Sequence, residues 1–232
     1  MSHGFFQSLS TDDIILTANS RLSLYLHDAY DQFQHQQHKT AWSTPQILPL
    51  QNWLQQQFYQ YNFDGQILLD AFQEHCLWQQ VIEESKLALN VMHPTQLAEL
   101  VQEAWNLLTL WQVPLSELSP FQEQHEVNCL LTWFSHFQKK LLQKNLMTAS
   151  ELPEKLLAKK IHITKRIIVV GFDDFNPALK KLWAYLKNID IQNLDTPSQV
   201  ARIILEDTDS ELHTMARWIK KQWQKLFSAY MN

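Results

Sequence analysis

Glycine is scarce in this sequence. The 232 residues include only three glycines, Gly4, Gly65 and Gly171, and none of them is followed by lysine. A phosphate-binding loop of the form G-x-x-x-x-G-K-[ST] needs glycines because its backbone approaches the phosphates in conformations that a Cβ atom would block. Since the required residues are missing, we expect this chain to be no enzyme and to use no cofactor.

Cysteine, charge and long apolar runs are limited as well. Cys76 and Cys129 are the only cysteines and form no C-x-x-C motif, which argues against a disulfide framework or a zinc site and favours a reducing cytosol. The net charge of −5 argues against a protein that grips DNA with its whole surface. Because no apolar run reaches about 18 residues, we expect a cytoplasmic protein with no membrane contact.

Apolar and aromatic residues are plentiful. Hydrophobic residues make up 45% of the chain, with nine Trp, twelve Phe and six Tyr, which is enough for a sizeable core. Trp78, Trp105, Trp111 and Trp133 occur at helical spacings, which favours packing over base stacking. We expect both cysteines in the core too. Charged residues make up only 19%, so part of the surface is expected to contact partners.

Short β-type runs lie on both sides of a long helical region. Strands are predicted at residues 14–16, 47–48, 166–170, 189–191 and 201–205. Helices are predicted after the first two strands, at 177–187 and at about 209–227, and residues 66–146 space their apolar residues by three and four throughout. This order predicts an α/β sheet domain interrupted by an all-helical insertion, predominantly helical overall. The predicted divisions are 1–64 and 151–200 for the sheet domain, 65–150 for the insertion, and 201–232 for the start of a further strand and helix.

Two groups of polar residues stand where an α/β ATPase binds its nucleotide. The first follows the first strand and comprises Thr17, Asn19, Ser20 and Arg21. The second, Asp173 and Asp174, follows a buried strand, where such enzymes hold water-coordinated magnesium. Without the glycine loop we interpret both groups as a degenerate nucleotide site. The favoured structural role is helix capping, by Thr17, Asn19 or Ser20 at the first helix and by Asp173, Asp174 or Asn176 at the helix near residue 177.

Other clusters suggest weaker alternatives. Asn19, Arg21, Lys39 and Lys165 are candidates for contacts with DNA phosphates. The set of His27, Asp31, His35 and His38 has helical spacing that would suit a metal, but no general-base motif accompanies it, so a solvated polar face is favoured and no metal site is expected. A further polar group, Asp70, Glu74 and His75, is weaker still.

Several stretches together resemble a bacterial family of DNA repair proteins related to AddB. They are "ILTANSRLSLYLHDAY" with "WSTPQILPLQNWL", the insertion segment "LLDAFQEHCLWQQVIEES", "RIIVVGFDDFNPALKKLWAYL" and "DSELHTMARWIKKQW". Proteins of that family join an N-terminal superfamily-1 helicase-like part to a C-terminal PD-(D/E)XK nuclease. Asn176 stands where the family has threonine, and both residues can cap a helix.

The resemblance implies a parallel sheet like that of P-loop NTPases and superfamily-1 helicases, with a decayed phosphate loop. It also implies a role in DNA repair, recombination or DNA-end processing, as a scaffold or a contact for single-stranded DNA or a duplex end. The chain is then expected to be the N-terminal part of a longer protein, and no nuclease role passes to its residues. One rival is a protein-interaction module that binds the rest of its own chain or a helicase or nuclease subunit without DNA. The other is a metalloenzyme using the histidines.

Overall fold

The protein is predominantly helical and contains a small parallel sheet. A computed structural model describes residues 3–61, 63, 65–85, 87, 93–192, 207, 210, 212, 214–218 and 220. The strands are β1 Ile14–Thr17, β2 Gln46–Pro49, β3 Ile67–Leu68, β4 Leu146–Met147, β5 Ile167–Val170 and β6 Ile189–Gln192. The α-helices are α1 His3–Gln7, α2 Ser20–Gln36, α3 Leu50–Gln60, α4 Ala71–Ser85, α5 Pro94–Trp111, α6 His125–Gln143, α7 Leu152–Ala158 and α8 Pro177–Leu186. Short 3-10 helices cover Leu115–Phe121 and Ala149–Glu151.

The main sheet has four parallel strands in the order β2-β1-β5-β6. Ile14 is in register with Gln46 on one side and with Ile167 on the other, and Ile167 is in register with Ile189. Every residue of β1 and β5 is buried. Because helices cover both faces of a parallel sheet, its central strands are apolar runs and do not alternate with polar residues.

Alternate residues of the central strands build separate cores on the two faces of the sheet. Ile15 and Ile168 pack with α1 and α2 on one face, through residues such as Tyr30. On the other face, Leu16 and Val169 belong to the core that includes residues of α3, α7 and α8. The period of two along a strand produces this division, since successive side chains point to opposite faces.

Helices α4, α5 and α6 form a third core between β2 and β5 in the chain. Trp78 lies at its centre, where its ring stacks on Phe137 with the centroids 3.6 Å apart, and Trp105 contacts Phe134 edge-on. A two-stranded parallel sheet of β3 and β4 joins the first residues of this region to its last, with Ile67 opposite Leu146. The chain therefore enters the helical region through β3 and leaves it through β4, and these two short strands are paired with each other.

The α/β fold class is confirmed, as are the predicted strands near residues 14, 47, 167 and 189. The predicted strand at 201–205 lies outside the described residues. The chain forms two compact units, Met1–Leu194 and Asp195–Asn232. In the second unit the described residues from Ser210 to Lys220 are helical, in the range where a helix is predicted. Among the described residues, no helix combines the length and apolar character required to cross a bilayer.

One expectation about buried side chains, that both cysteines lie in the core, is wrong. Trp78, Trp105 and Trp133 are buried, and Trp111 at the end of α5 is 49% exposed. Cys129 is buried, whereas Cys76 is exposed on α4. Helical spacing identifies residues that share a face, and near the end of a helix that face can extend beyond the neighbouring elements.

Candidate functional site at the carboxyl edge of the sheet

The order of the strands creates one switch point at the carboxyl edge of the sheet, between β1 and β5. The chain passes from β1 outward to β2 in one direction, and from β5 outward to β6 in the other. In open α/β sheets, ligands bind outside the carboxyl ends of the strands at such a reversal. Thr17 at the end of β1 is in register with Val170 at the end of β5, so both groups of residues predicted to form a degenerate nucleotide site lie at this point.

The connection from β1 to α2 is short and satisfies its own hydrogen bonds. Only Ala18 and Asn19 separate β1 from the first residue of α2. Thr17 is fully buried, and its Oγ1 donates to the carbonyl of Asn19 at 2.9 Å. Asn19 is the N-cap, and its Oδ1 accepts from the backbone N–H of Leu22 at 2.9 Å. The capping role predicted for this group is therefore confirmed at Asn19, while Ser20 begins the helix.

The space beside this connection is filled by a side chain. Gly171 follows β5 with a φ of +80°, and a Cβ atom placed on it would lie 2.4 Å from Cδ2 of Leu22. The Ala18 N–H donates to the carbonyl of Val170 at 3.2 Å and ties the two loops together. A phosphate loop cradles phosphates with successive free backbone N–H groups. At this edge Leu22 fills the space that such a loop needs. Asn19 accepts from one of the backbone N–H groups that the loop would use.

The two aspartates after β5 have different surroundings. Asp174 Oδ1 accepts from Lys180 Nζ at 2.8 Å and from the Phe175 N–H at 2.7 Å. The Lys180 hydrogen bond, with the Phe175 N–H, holds the pKa of Asp174 below its usual value. Asn176 caps α8, since its Oδ1 accepts from the Leu179 N–H at 2.9 Å. The capping expectation is thus confirmed at Asn176, and Asp173 is an exposed residue of the loop.

The four candidate DNA contacts lie at opposite ends of the sheet. Asn19 and Arg21 are at the carboxyl edge, where α2 begins. Lys39 follows α2 and Lys165 precedes β5, which places both near the amino edge. A four-residue strand spans about 10 Å, so the sheet separates the two pairs. Arg21, Lys39 and Lys165 are exposed, and together the four do not form one patch.

The polar residues of α2 have neighbours within the chain. The His27 Nε2 is 2.9 Å from the carbonyl oxygen of Ile47, and Trp42 Nε1 donates to Asp31 Oδ1 at 2.8 Å. His35 meets the ring of Trp42 edge-on. Among the residues that the structure describes, no group of three or more His, Cys, Asp or Glu is arranged to hold a metal ion.

Glu74 has the most perturbed environment among the acidic residues described. It is 3% exposed, and its Oε1 has no hydrogen-bond partner among the described residues. Burial raises its pKa from 4.5 to about 7. The side chains of Trp78 and Gln102 oppose this rise, but no well-formed hydrogen bond reaches Oε1, so burial dominates and the charge of Glu151 adds to it. The sequence signal is the i, i+4 spacing from Glu74 to Trp78, which puts both on the buried stripe of α4.

The weaker polar group that contains Glu74 is divided by the fold. Asp70 caps α4: its Oδ1 accepts from the Gln73 N–H at 2.8 Å, and its own N–H donates to Gln73 Oε1 at 3.1 Å. His75 is half-buried on α4 and makes no hydrogen bond within the described chain. The three residues therefore do not act as one site.

Comparison with known proteins leaves the family open. No protein-family model matches the chain, and no curated protein matches its sequence.

Proposed function

We propose that this chain is a catalytically silent, helicase-like domain that serves as a scaffold in a DNA repair or recombination protein. Its sheet is then a relative of the P-loop-NTPase and superfamily-1 helicase sheet. The point between β1 and β5 where the order of strand addition reverses supports this relation, because nucleotide sites of that architecture occur there. The stretches that resemble AddB-related proteins supply the link to DNA-end processing.

One observation carries the proposal. The connection from β1 to α2 has two residues, and Leu22 occupies the place beside Gly171. A triphosphate needs a longer loop with several free N–H groups and a lysine. The degenerate site of Thr17, Asn19, Ser20, Arg21, Asp173 and Asp174 is therefore a structural joint between β1 and β5.

Nucleotide binding tests the silent site. Equilibrium dialysis of the chain with Mg²⁺ and ATP at up to about millimolar concentration, the upper range of ordinary substrate affinities, should show no saturable binding and no phosphate release. Saturable binding that depends on Mg²⁺ and is accompanied by hydrolysis would remove the basis of the proposal. An Asn19→Ala variant that gains ATP affinity would show that capping competes with the nucleotide.

DNA contact is tested separately, with single-stranded and forked DNA. If the domain contacts phosphates at the carboxyl edge, Arg21→Ala should weaken binding and flatten its dependence on salt between about 50 and 200 mM. Lys165→Ala is the matched control, since it removes a similarly exposed cation from the amino edge. Equal effects of the two substitutions would indicate nonspecific attraction instead of a contact at the switch point.

A second candidate function is protein binding without DNA. The observation that favours it is the set of large apolar side chains exposed on the helical region, namely Leu100, Leu107, Trp111, Phe121 and Leu142. Scattered exposed apolar residues are ordinary, whereas a contiguous apolar patch marks a contact surface. Association with a helicase or nuclease subunit that persists at high salt, with no DNA binding, would favour this function over the DNA contact.

A further inference from the structure

Helix α5 carries two apolar stripes, and only one of them is buried. The buried stripe packs in the core of the helical region and comprises Leu97, Ala98, Val101 and Trp105. The second, which we call the α5 stripe, comprises Leu100, Ala104, Leu107 and Trp111. At about 100° per residue, the two stripes lie roughly 100° apart around the helix. The apolar surface of α5 is therefore wider than the face that its neighbours cover.

The α5 stripe is exposed along its length. Leu107 is 58% exposed, Leu100 and Trp111 are each 49% exposed, and Ala104 is half-buried between them. Residues three and four apart on a helix have neighbouring side chains, so these four form one contiguous patch. At about 1.5 Å per residue, the patch is about 16 Å long. A contiguous apolar patch of this kind on a soluble domain marks a contact surface.

The spacing of the α5 stripe fits a second helix. Its residues follow one another at intervals of four, three and four, which are the intervals of positions a and d in a heptad repeat. Helices with this repeat pack side by side through those positions. Position g of the same repeat is Glu103, which is exposed beside the stripe. Charged residues at position g select the partner helix, so the charge near Glu103 indicates what that helix carries.

The charge around the α5 stripe is of one sign. Helix α5 contains two glutamates, Glu99 and Glu103, and no lysine or arginine. Residues 93–138 also lack lysine and arginine, and their exposed glutamates are Glu99, Glu103, Glu117, Glu123 and Glu126. Within the described part of the chain, none of these glutamates forms an ion pair. Lys181 of α8 lines a groove with Gln112, but Gln112 is about 140° around α5 from Leu107. The stripe therefore complements a basic partner.

A second copy of this chain fits the α5 stripe less well. It would bring its own Glu99 and Glu103 to the same interface, and like charges beside a helix pair oppose pairing. The net charge of −5 acts in the same direction, because it keeps the copies apart.

We propose that the α5 stripe docks an amphipathic helix of a partner protein, with leucine-like residues on one face and lysine or arginine beside them. The apolar face of that helix covers Leu100, Leu107 and Trp111, and one of its cations lies against Glu103. The inference rests on the protein-binding function proposed above, and it names the surface and the chemistry of the partner.

Two designed peptides test the surface and its charge. Each has about three heptads with leucine at positions a and d, and the peptides differ only in carrying lysine or glutamate at positions e and g. Fluorescence polarisation measures their affinities for the whole chain. We expect the lysine peptide to bind at least about tenfold more tightly, since like charges at an interface are strongly unfavourable. Leu107→Gln should lower that affinity at least about tenfold, as for a central contact, and leave the urea midpoint nearly unchanged because Leu107 is exposed.

Helix α2 supplies the matched controls. Leu24→Gln removes a leucine that is 72% exposed on α2 and should leave the affinity for the lysine peptide unchanged. Glu103→Lys should shift the preference toward the glutamate peptide by at least about threefold, within the range of exposed ion pairs. Asp28→Lys makes the same change of net charge at an exposed residue of α2 and should leave the preference unchanged.

Three results would overturn the inference. They are equal binding of the two peptides, an affinity that Leu107→Gln leaves intact, and a change of preference that Asp28→Lys produces as strongly as Glu103→Lys. Sedimentation velocity of the chain alone examines the second copy. A dimer that Leu107→Gln dissociates would assign the α5 stripe to self-association and exclude the basic partner.

Failure of this inference can be distinguished from failure of the protein-binding function. Binding of a helicase or nuclease subunit that Leu107→Gln leaves intact would overturn the docking surface and keep that function. Binding of the lysine peptide at the α5 stripe, without binding of any such subunit, would overturn the proposed class of partner and keep the docking surface.

Discussion

The buried carboxyl group of Glu74 predicts a stability that falls as the pH rises through neutrality. Its pKa is about 7 in the folded chain, against 4.5 without burial. Below pH 4.5 the carboxyl group is neutral in both the folded and the unfolded chain, so it does not lower the free energy of unfolding. Between 4.5 and 7 the unfolded chain releases the proton while the folded chain retains it, so the free energy of unfolding declines. Above pH 7 the full cost is present and the profile becomes level.

The size of this effect follows from the two pKa values. At about 1.4 kcal/mol for each pH unit, the interval from 4.5 to about 7 corresponds to about 3 kcal/mol of stability. That is a large share of the 5 to 15 kcal/mol that is roughly typical of a whole domain. Because Glu74 is only 3% exposed, solvent screening reduces the figure little.

Glu74→Gln isolates this contribution, because glutamine has a similar shape and never ionises. We expect the variant to match the wild type near pH 4 and to be more stable by about 2 to 3 kcal/mol near pH 8.5. Urea unfolding followed by tryptophan fluorescence at each pH measures the difference, and Trp78 reports on the same core. A titration of the side-chain carboxyl by NMR reads the pKa itself.

Glu103→Gln is the control, because Glu103 is an exposed carboxylate on the neighbouring helix α5. The free energy of unfolding of this variant should differ from that of the wild type by a small amount that is constant with pH. A Glu74→Gln difference that is also constant from pH 5 to 8.5, or a wild type that is the more stable protein at high pH, would contradict the raised pKa of Glu74.

Three further predictions concern the joint at the carboxyl edge and the cysteines. Gly171→Ala should destabilise the chain by about 3 kcal/mol in urea unfolding, since it combines a left-handed φ with the contact to Leu22. Adding Leu22→Ala should restore part of this lost stability, and full restoration would mean that strain at φ is negligible. Asn19→Ala should cost about 1 kcal/mol through loss of the cap, whereas Asn19→Asp should cost little; equal losses would argue against capping. A thiol reagent should label exposed Cys76 quickly and buried Cys129, whose pKa burial raises, only on unfolding; two fast thiols would contradict the packing of α6.

Local patterns were sufficient for the sheet and for the helix starts. The strands predicted at 14–16 and 166–170 correspond to the two central strands, and Asn19 and Asn176 cap the helices that follow them. Each of these features depends on residues within four positions of one another. A cap is a hydrogen bond to the third residue ahead, so the sequence limits the cap of each helix to three neighbouring candidates, and the structure identifies Asn19 and Asn176 among them.

Features with few residues or distant partners were not predictable in this way. The strands β3 and β4 have two residues each and are paired across almost eighty positions of chain. No periodicity can mark a segment so short. In the sequence Glu74 is one polar residue among several, because its burial depends on α5 and on the segment of Glu151, which a pattern within α4 cannot reveal.

The sequence by itself determined that no glycine-rich phosphate loop exists, that β-type runs flank a helical region, and that asparagines stand at two helix starts. Only the tertiary structure decided that Leu22 fills the space beside Gly171, that the candidate DNA contacts lie at opposite edges, and that Glu74 is buried. The reason is physical. Backbone propensity and capping act over a few residues, while burial, charge pairing and cavities arise from side chains that folding brings together from distant parts of the chain.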